Sequence, residues 1–100
     1  MKVKWRASAV TSLLELDKWR KTLELTPIAK HLKGKVEEYF LKQDLSLYVP
    51  GRQVAIKNMP TDLRIVLLSI GKSEPYKVFY RVSGYDIEII LIRHPRQKQL

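Results

Sequence analysis

Three apolar runs separated by turn chemistry fill the last third of the chain, and they constrain the fold more than any other feature. From Leu63 onward the sequence reads LRIVLLSIGKSEPYKVFYRVSGYDIEIILIRHPRQKQL. Residues 64–70 are apolar on both faces after the opening arginine, the pattern of a central strand. Residues 71–75 carry turn chemistry. Residues 76–82 alternate, with Val78, Tyr80 and Val82 on one face and Lys77, Phe79 and Arg81 on the other. Ser83-Gly84-Tyr85 suits a tight hairpin connection, and residues 86–93 form a last strand. The chain then closes in a basic tail, Arg93-His94-Pro95-Arg96-Gln97-Lys98.

The first half reads differently. Residues 2–6 alternate charge with Val3 and Trp5, a short strand pattern. Residues 7–22 take up a helical rhythm: Ala9, Leu13, Leu16 and Leu23 fall near one side, and Val10 and Leu14 widen the stripe. Ser8 offers an N-cap hydroxyl. A second helix begins at Thr26-Pro27, with threonine as cap and proline at the first helical position. Ile28, Leu32, Val36, Tyr39 and Phe40 make its apolar face, while Lys30, Lys33, Lys35, Glu37 and Lys42 lie mostly off it. Gly34 inside this helix costs about 1 kcal/mol relative to alanine, so a close helix crossing is expected there. The short link predicts an antiparallel helical hairpin. Residues 48–62, punctuated by Pro50-Gly51 and Met59-Pro60, read as a loop in which residues 53–57 (QVAIK) offer at most a brief strand. The expected fold is α+β, one domain over residues 1–100, in the order β-α-α-β-β-β. An antiparallel sheet is covered on one face by the helical hairpin, with the first strand at its edge.

Charge narrows the partners. Nineteen lysines and arginines stand against ten acids, a formal charge of +9. Such a small domain seeks anionic surfaces: nucleic acid, an acidic protein or an anionic membrane. With no cysteine and two histidines, neither disulfides nor a zinc site is expected, and no cofactor motif is present. Walker and GxGxxG loops and paired catalytic carboxylates are absent from the sequence. No run approaches the ~20 apolar residues of a membrane span. The early lysines resemble a signal peptide, but the apolar stretch after them is short and meets Glu15 and Asp17. A cytoplasmic protein is expected.

The candidate binding residues are Arg64, Arg81, Arg93, His94 and Arg96. Guanidinium groups hold phosphate or carboxylate in bidentate geometry. Read as a meander, the strands are expected to bring Arg64, Arg93, His94 and Arg96 to one end and to leave Arg81 away from it. His94 has the chemistry of a proton shuttle, but no nucleophile or second acid–base group accompanies it. A ring packed on the sheet rim is the favoured reading. The basic helix over residues 30–42 suits phosphates or lipid headgroups, although Glu37 and Glu38 interrupt it.

These residues resemble the ParE branch of the RelE/ParE superfamily, the toxins of bacterial type II toxin–antitoxin modules. The likeness lies in Trp5-Arg6-Ala7-Ser8-Ala9 before a leucine-rich helix, in Pro27-Ile28-Ala29 with Leu32 and Val36, and above all in the end of the chain. There Leu63-Arg64 opens a strand, Tyr76-Lys77-Val78-Phe79-Tyr80-Arg81-Val82 forms the next, and Ile87-Glu88-Ile89-Ile90-Leu91 runs into Arg93-His94-Pro95-Arg96. Pro95 stands where the family commonly has glycine, and residues 50–60 match nothing in its pattern. The resemblance implies a toxin silenced by a cognate acidic antitoxin, as a monomer or a toxin–antitoxin hetero-oligomer with no membrane partner. ParE-like members are associated with inhibition of DNA gyrase. RelE-like members cut ribosome-bound mRNA, for which Arg64, Arg81, His94 and Arg96 are the nearest equivalents. The sequence lacks the dense strand lysines and arginines of that branch, which favours the gyrase reading.

Overall fold

The computed structural model describes residues 1–45, 47–72 and 74–97; Lys98 of the expected basic tail lies outside them. The elements are β1 (Val3–Trp5), α1 (Ala7–Thr22), α2 (Ala29–Leu41), β2 (Arg52–Gln53), β3 (Arg64–Leu68), β4 (Tyr76–Ser83) and β5 (Asp86–Arg93). They build the expected α+β architecture, two helices on one five-stranded sheet of order β1-β5-β4-β3-β2. β1 occupies an edge, as expected, but runs parallel to β5, so the sheet is mixed. Its parallel placement follows from the crossover through α1 and α2, which returns the chain to the sheet only after two helices. The loop at residues 48–62 contains one short strand, β2, at Arg52–Gln53 rather than over residues 53–57. It pairs with the start of β3.

The main core lies between the helices and the sheet. Ala9, Leu13 and Leu16 of α1 and Leu32, Val36 and Phe40 of α2 pack on Val78, Tyr80, Ile87 and Ile89. Burying each of the Leu, Val, Ile and Phe side chains contributes about 1.5–3 kcal/mol before entropy is counted. The sheet's other face has a second, smaller core: Leu63, Ile65, Phe79, Ile90 and Leu91, covered by Val54, Ile56 and Met59 of the loop. The loop crosses β3 so closely that a Cβ on Gly51 would lie 2.1 Å from the Ile65 carbonyl oxygen, and Gly51 has φ +77°. Only glycine meets both conditions.

Both helix starts differ from expectation. Arg6, not Ser8, takes the N-cap position of α1, and its carbonyl accepts from the N–H groups of Ala9 and Val10. The Ser8 hydroxyl instead donates to the Ile90 carbonyl at 2.7 Å. One turn on, the buried Ser12 hydroxyl accepts from the Ile92 N–H at 3.0 Å and donates to the Ala9 carbonyl. β1 stops pairing with β5 at Ile89, so these two serines, four residues apart on one helix face, serve backbone groups of β5 that β1 no longer reaches. At α2 no side chain of residues 26–28 caps the helix. Asp17 of α1 does so across the hairpin, its Oδ1 accepting from Ile28 N (2.7 Å) and Ala29 N (3.0 Å).

Among the described residues, no helix is long and apolar enough to cross a membrane. Gly34 is not at a tight crossing: a Cβ placed there meets nothing within 4 Å. Its helix cost is therefore not offset by packing. Gly34→Ala is expected to raise stability by about 0.5–1 kcal/mol, and a thermal-denaturation midpoint at least 2 °C above that of the parent protein checks it.

Candidate anion-binding groove on the open sheet face

The groove depends on which face each β5 residue takes. Strand residues alternate between faces, so Ile87 and Ile89 face the helices and Glu88 faces away. The β4–β5 register then shifts: Tyr80 pairs with Ile89, but Phe79 pairs with Leu91. Ile90 is the extra residue of a β-bulge. Ile90 and Leu91 both join the open-face core, and Ile92 returns to the helix side. Arg93 therefore emerges on the open face, directly opposite Lys77 of β4.

Two adjoining cavities, of about 350 and 400 Å³, run over this part of the open face and share Ile65 and Lys77 in their linings. Ile65 and Phe79 supply an apolar floor. Val54 and Ile56 of the loop, with Arg93 and Pro95 from the end of the chain, join the lining. The second cavity continues past Lys77 to Arg52 and to Leu67, which is 58% exposed. Three cations, Arg52, Lys77 and Arg93, thus line one trough in which no carboxylate occurs among the described residues. Like charges directly opposite on adjacent strands are destabilising. Lys77 and Arg93 are placed in that relation by the β4–β5 register.

The opposite end of the same face is neutralised internally. Arg81 makes three contacts of 3.0–3.2 Å with the Asp62 carboxylate and lies 3.8 Å from Glu88. Arg6 also reaches Glu88, at 2.6 Å, and Lys4 holds Asp86 at 3.1 Å. Hydrogen bonding to Arg81 keeps the Asp62 carboxyl below the usual carboxylate range.

The expected convergence of Arg64 with Arg93, His94 and Arg96 does not occur. Two successive reversals restore direction, so β3 and β5 run the same way and the end of β5 lies level with the end of β3. Arg64 stands at β3's start, paired with Tyr80, and lies on the helix face. Its guanidinium donates to the carbonyls of Val49, Pro50 and Gly51 at 2.9–3.4 Å. The Tyr80 hydroxyl donates to the same Pro50 carbonyl. Arg64 thus anchors the loop that covers the open face. Losing charged hydrogen bonds of this kind costs about 1–3 kcal/mol, so Arg64 is not a surface charge whose removal leaves the fold untouched. Arg96, 72% exposed at its side chain, pairs with Glu74 at 2.8 Å and does not line the groove. Of the five sequence candidates, Arg93 and His94 belong to the groove wall and the other three do not.

His94 follows Arg93 and sends its ring toward the helix side. The ring packs on Trp19 and Tyr76 at centroid distances of 5.0 and 5.1 Å, the rim packing expected from sequence. Its Nδ1 accepts from the Arg96 backbone N–H at 3.1 Å, which places the neutral ring's proton on Nε2. Burial pushes its pKa below 6.5, with Arg96 and Arg20 acting in the same direction against Glu74.

No known protein family matches the chain, and no curated protein or solved structure matches it either. Lys77 and Arg52 were absent from the sequence candidates. Lys77 was legible: a lysine in an otherwise apolar and aromatic strand sits on the same face as Phe79. Arg52 was not, because it depends on how the loop crosses β3.

The His94 geometry carries a pH dependence. A histidine whose folded pKa lies below its unfolded value binds fewer protons when folded, so stability rises with pH across the interval between the two. The stabilisation is fully present above pH ~6.5 and falls as the pH drops toward the folded value. Urea denaturation at pH 7 and pH 5.5 is expected to show lower stability at pH 5.5, and His94→Gln is expected to lessen the difference.

Proposed function

We propose that this protein is a growth-inhibiting toxin of the ParE kind, which grips a macromolecular target with the open-face groove and is held silent by a cognate acidic antitoxin in the cytoplasm. The observation that carries the reading is the facing pair Lys77 and Arg93 on an apolar floor, with no carboxylate in the lining among the described residues. Cations placed beside exposed apolar surface favour a large anionic or mixed partner over a small neutral one. The element order and the chain's end, with Arg64 opening β3, Tyr80-Arg81 in β4 and His94 closing β5, support the toxin resemblance. DNA gyrase is the target that resemblance implies.

Binding is favoured over mRNA cleavage by where the proton carriers lie. General acid–base catalysis requires a group within hydrogen-bond reach of the reacting atoms. The Tyr80 hydroxyl is buried on the helix side and donates to Pro50. The His94 ring packs on Trp19 and Tyr76, with Nδ1 already accepting a hydrogen bond. Arg64 and Arg81, two of the four residues that cleavage would use, are engaged by the protein's own carbonyls and carboxylates.

The expected outcome is inhibition of purified gyrase supercoiling at near-stoichiometric protein. Lys77→Ala with Arg93→Ala is expected to weaken that inhibition at least tenfold while Arg96→Ala leaves it within twofold. Undiminished supercoiling at a large excess of protein contradicts the gyrase assignment. Full potency of the double variant contradicts the groove.

A further inference from the structure

The basic helix marked in the sequence does not act as a unit. Lys33 pairs with Glu37, and Lys35 and Lys42 with Glu38, at 2.9–4.0 Å. Lys30 makes no such pair among the described residues. It is joined across the hairpin by Lys18 and Lys21 of α1, which likewise make none. These three lysines border two adjoining depressions on the hairpin's outer side, of about 650 and 410 Å³, which share Asp17 and Pro27. The acids in these linings are already engaged. Asp17 caps α2, and Glu38 is held by Lys42 and Lys35, which lower its pKa. Gly34 adds bare backbone to the larger depression, where a side chain would meet no obstacle. The helix cost of that glycine, unexplained by packing, fits a surface that something approaches closely.

We propose that this outer face of the helical hairpin docks the phosphate backbone of double-stranded nucleic acid without reading its sequence. Lysines are compact point charges suited to single phosphates, and a duplex presents a regular row of them. Competing partners need features this surface lacks. A folding acidic peptide needs buried anchors, most often aromatic. A lipid surface needs a broad apolar face, and a single strand needs aromatic stacking platforms. Among the described residues, Leu25 and Pro27 are the only large apolar side chains in either lining, and neither lining holds an aromatic residue other than His31. This surface belongs to the helix layer and is separate from the groove.

Fluorescence anisotropy with a labelled 20-base-pair duplex of arbitrary sequence tests the proposal. The triple variant Lys18→Glu, Lys21→Glu, Lys30→Glu is compared with Lys2→Glu, Lys57→Glu, Lys72→Glu, which changes net charge equally at other exposed sites. Where a triple variant loses its native thermal midpoint, single Lys→Gln changes at the same positions make the same comparison. The hairpin triple is expected to lose more than tenfold in affinity. The slope of log affinity against log salt should fall by about 0.9 for each phosphate contact removed. The control triple should lose less than threefold, and Lys77→Ala with Arg93→Ala should leave duplex affinity unchanged, so that this surface and the groove fail separately. Equal losses in both triples, or no measurable binding of the parent protein to the duplex, overturns the proposal. So does tighter binding to single-stranded DNA, to polyglutamate or to phosphatidylserine vesicles.

Discussion

One inserted residue in one strand decides what this fold presents to its surroundings. Without the bulge at Ile90, strict alternation from Ile89 would turn Leu91 and Arg93 toward the helices. An arginine would then enter the helix–sheet layer beside Trp19 and Tyr76, and His94 would point to the open side. The bulge reverses that parity. It is supported from the helix layer by Ser8 on the Ile90 carbonyl and Ser12 on the Ile92 N–H. Groups of β5 that β1 no longer reaches are satisfied by two hydroxyls one turn apart. The sheet's parity, the dry helix face and the groove all follow from that local arrangement.

The charge of the molecule is unevenly compensated. At the end of the open face near Arg81, acids and bases face one another in Asp62, Glu88, Arg6 and Asp86 with Lys4. Such exposed pairs add little stability each, but they neutralise the surface. At the other end Lys77 and Arg93 face each other across the β4–β5 ladder, in a lining without acids among the described residues. The open face thus carries paired acids and bases at one end and a facing pair of cations at the other.

The helices and the meander were legible because their signals are long and local. The apolar stripe of α1 gave its bounds, and the breaks at Gly71–Pro75 and Ser83–Tyr85 separated the last three strands. The site was less legible, for two physical reasons. The β5 run Ile89-Ile90-Leu91-Ile92 is apolar throughout, so the bulge leaves no composition signal. Its only trace is the odd spacing between Glu88 and Arg93, two polar residues that share a face only if one residue is inserted between them. The roles of Arg64 and Arg52 depend on the path of residues 48–62 over β3, which no local pattern specifies. The strand directions were a matter of reasoning: the first and third strands of a meander run parallel, which separates Arg64 from Arg93. The cap of α2 was hidden because Asp17 lies in the preceding helix, eleven residues from Ile28.

The central claim is that the bulge aligns Arg93 with Lys77 to make an anion seat on the open face. A two-dimensional NMR titration with pyrophosphate tests it directly. The account predicts saturable shifts of the Lys77, Phe79 and Arg93 amides, with Arg81 and Arg96 little changed. Shifts of equal size at Arg81 and Arg96, or none at Lys77 and Arg93, would contradict it.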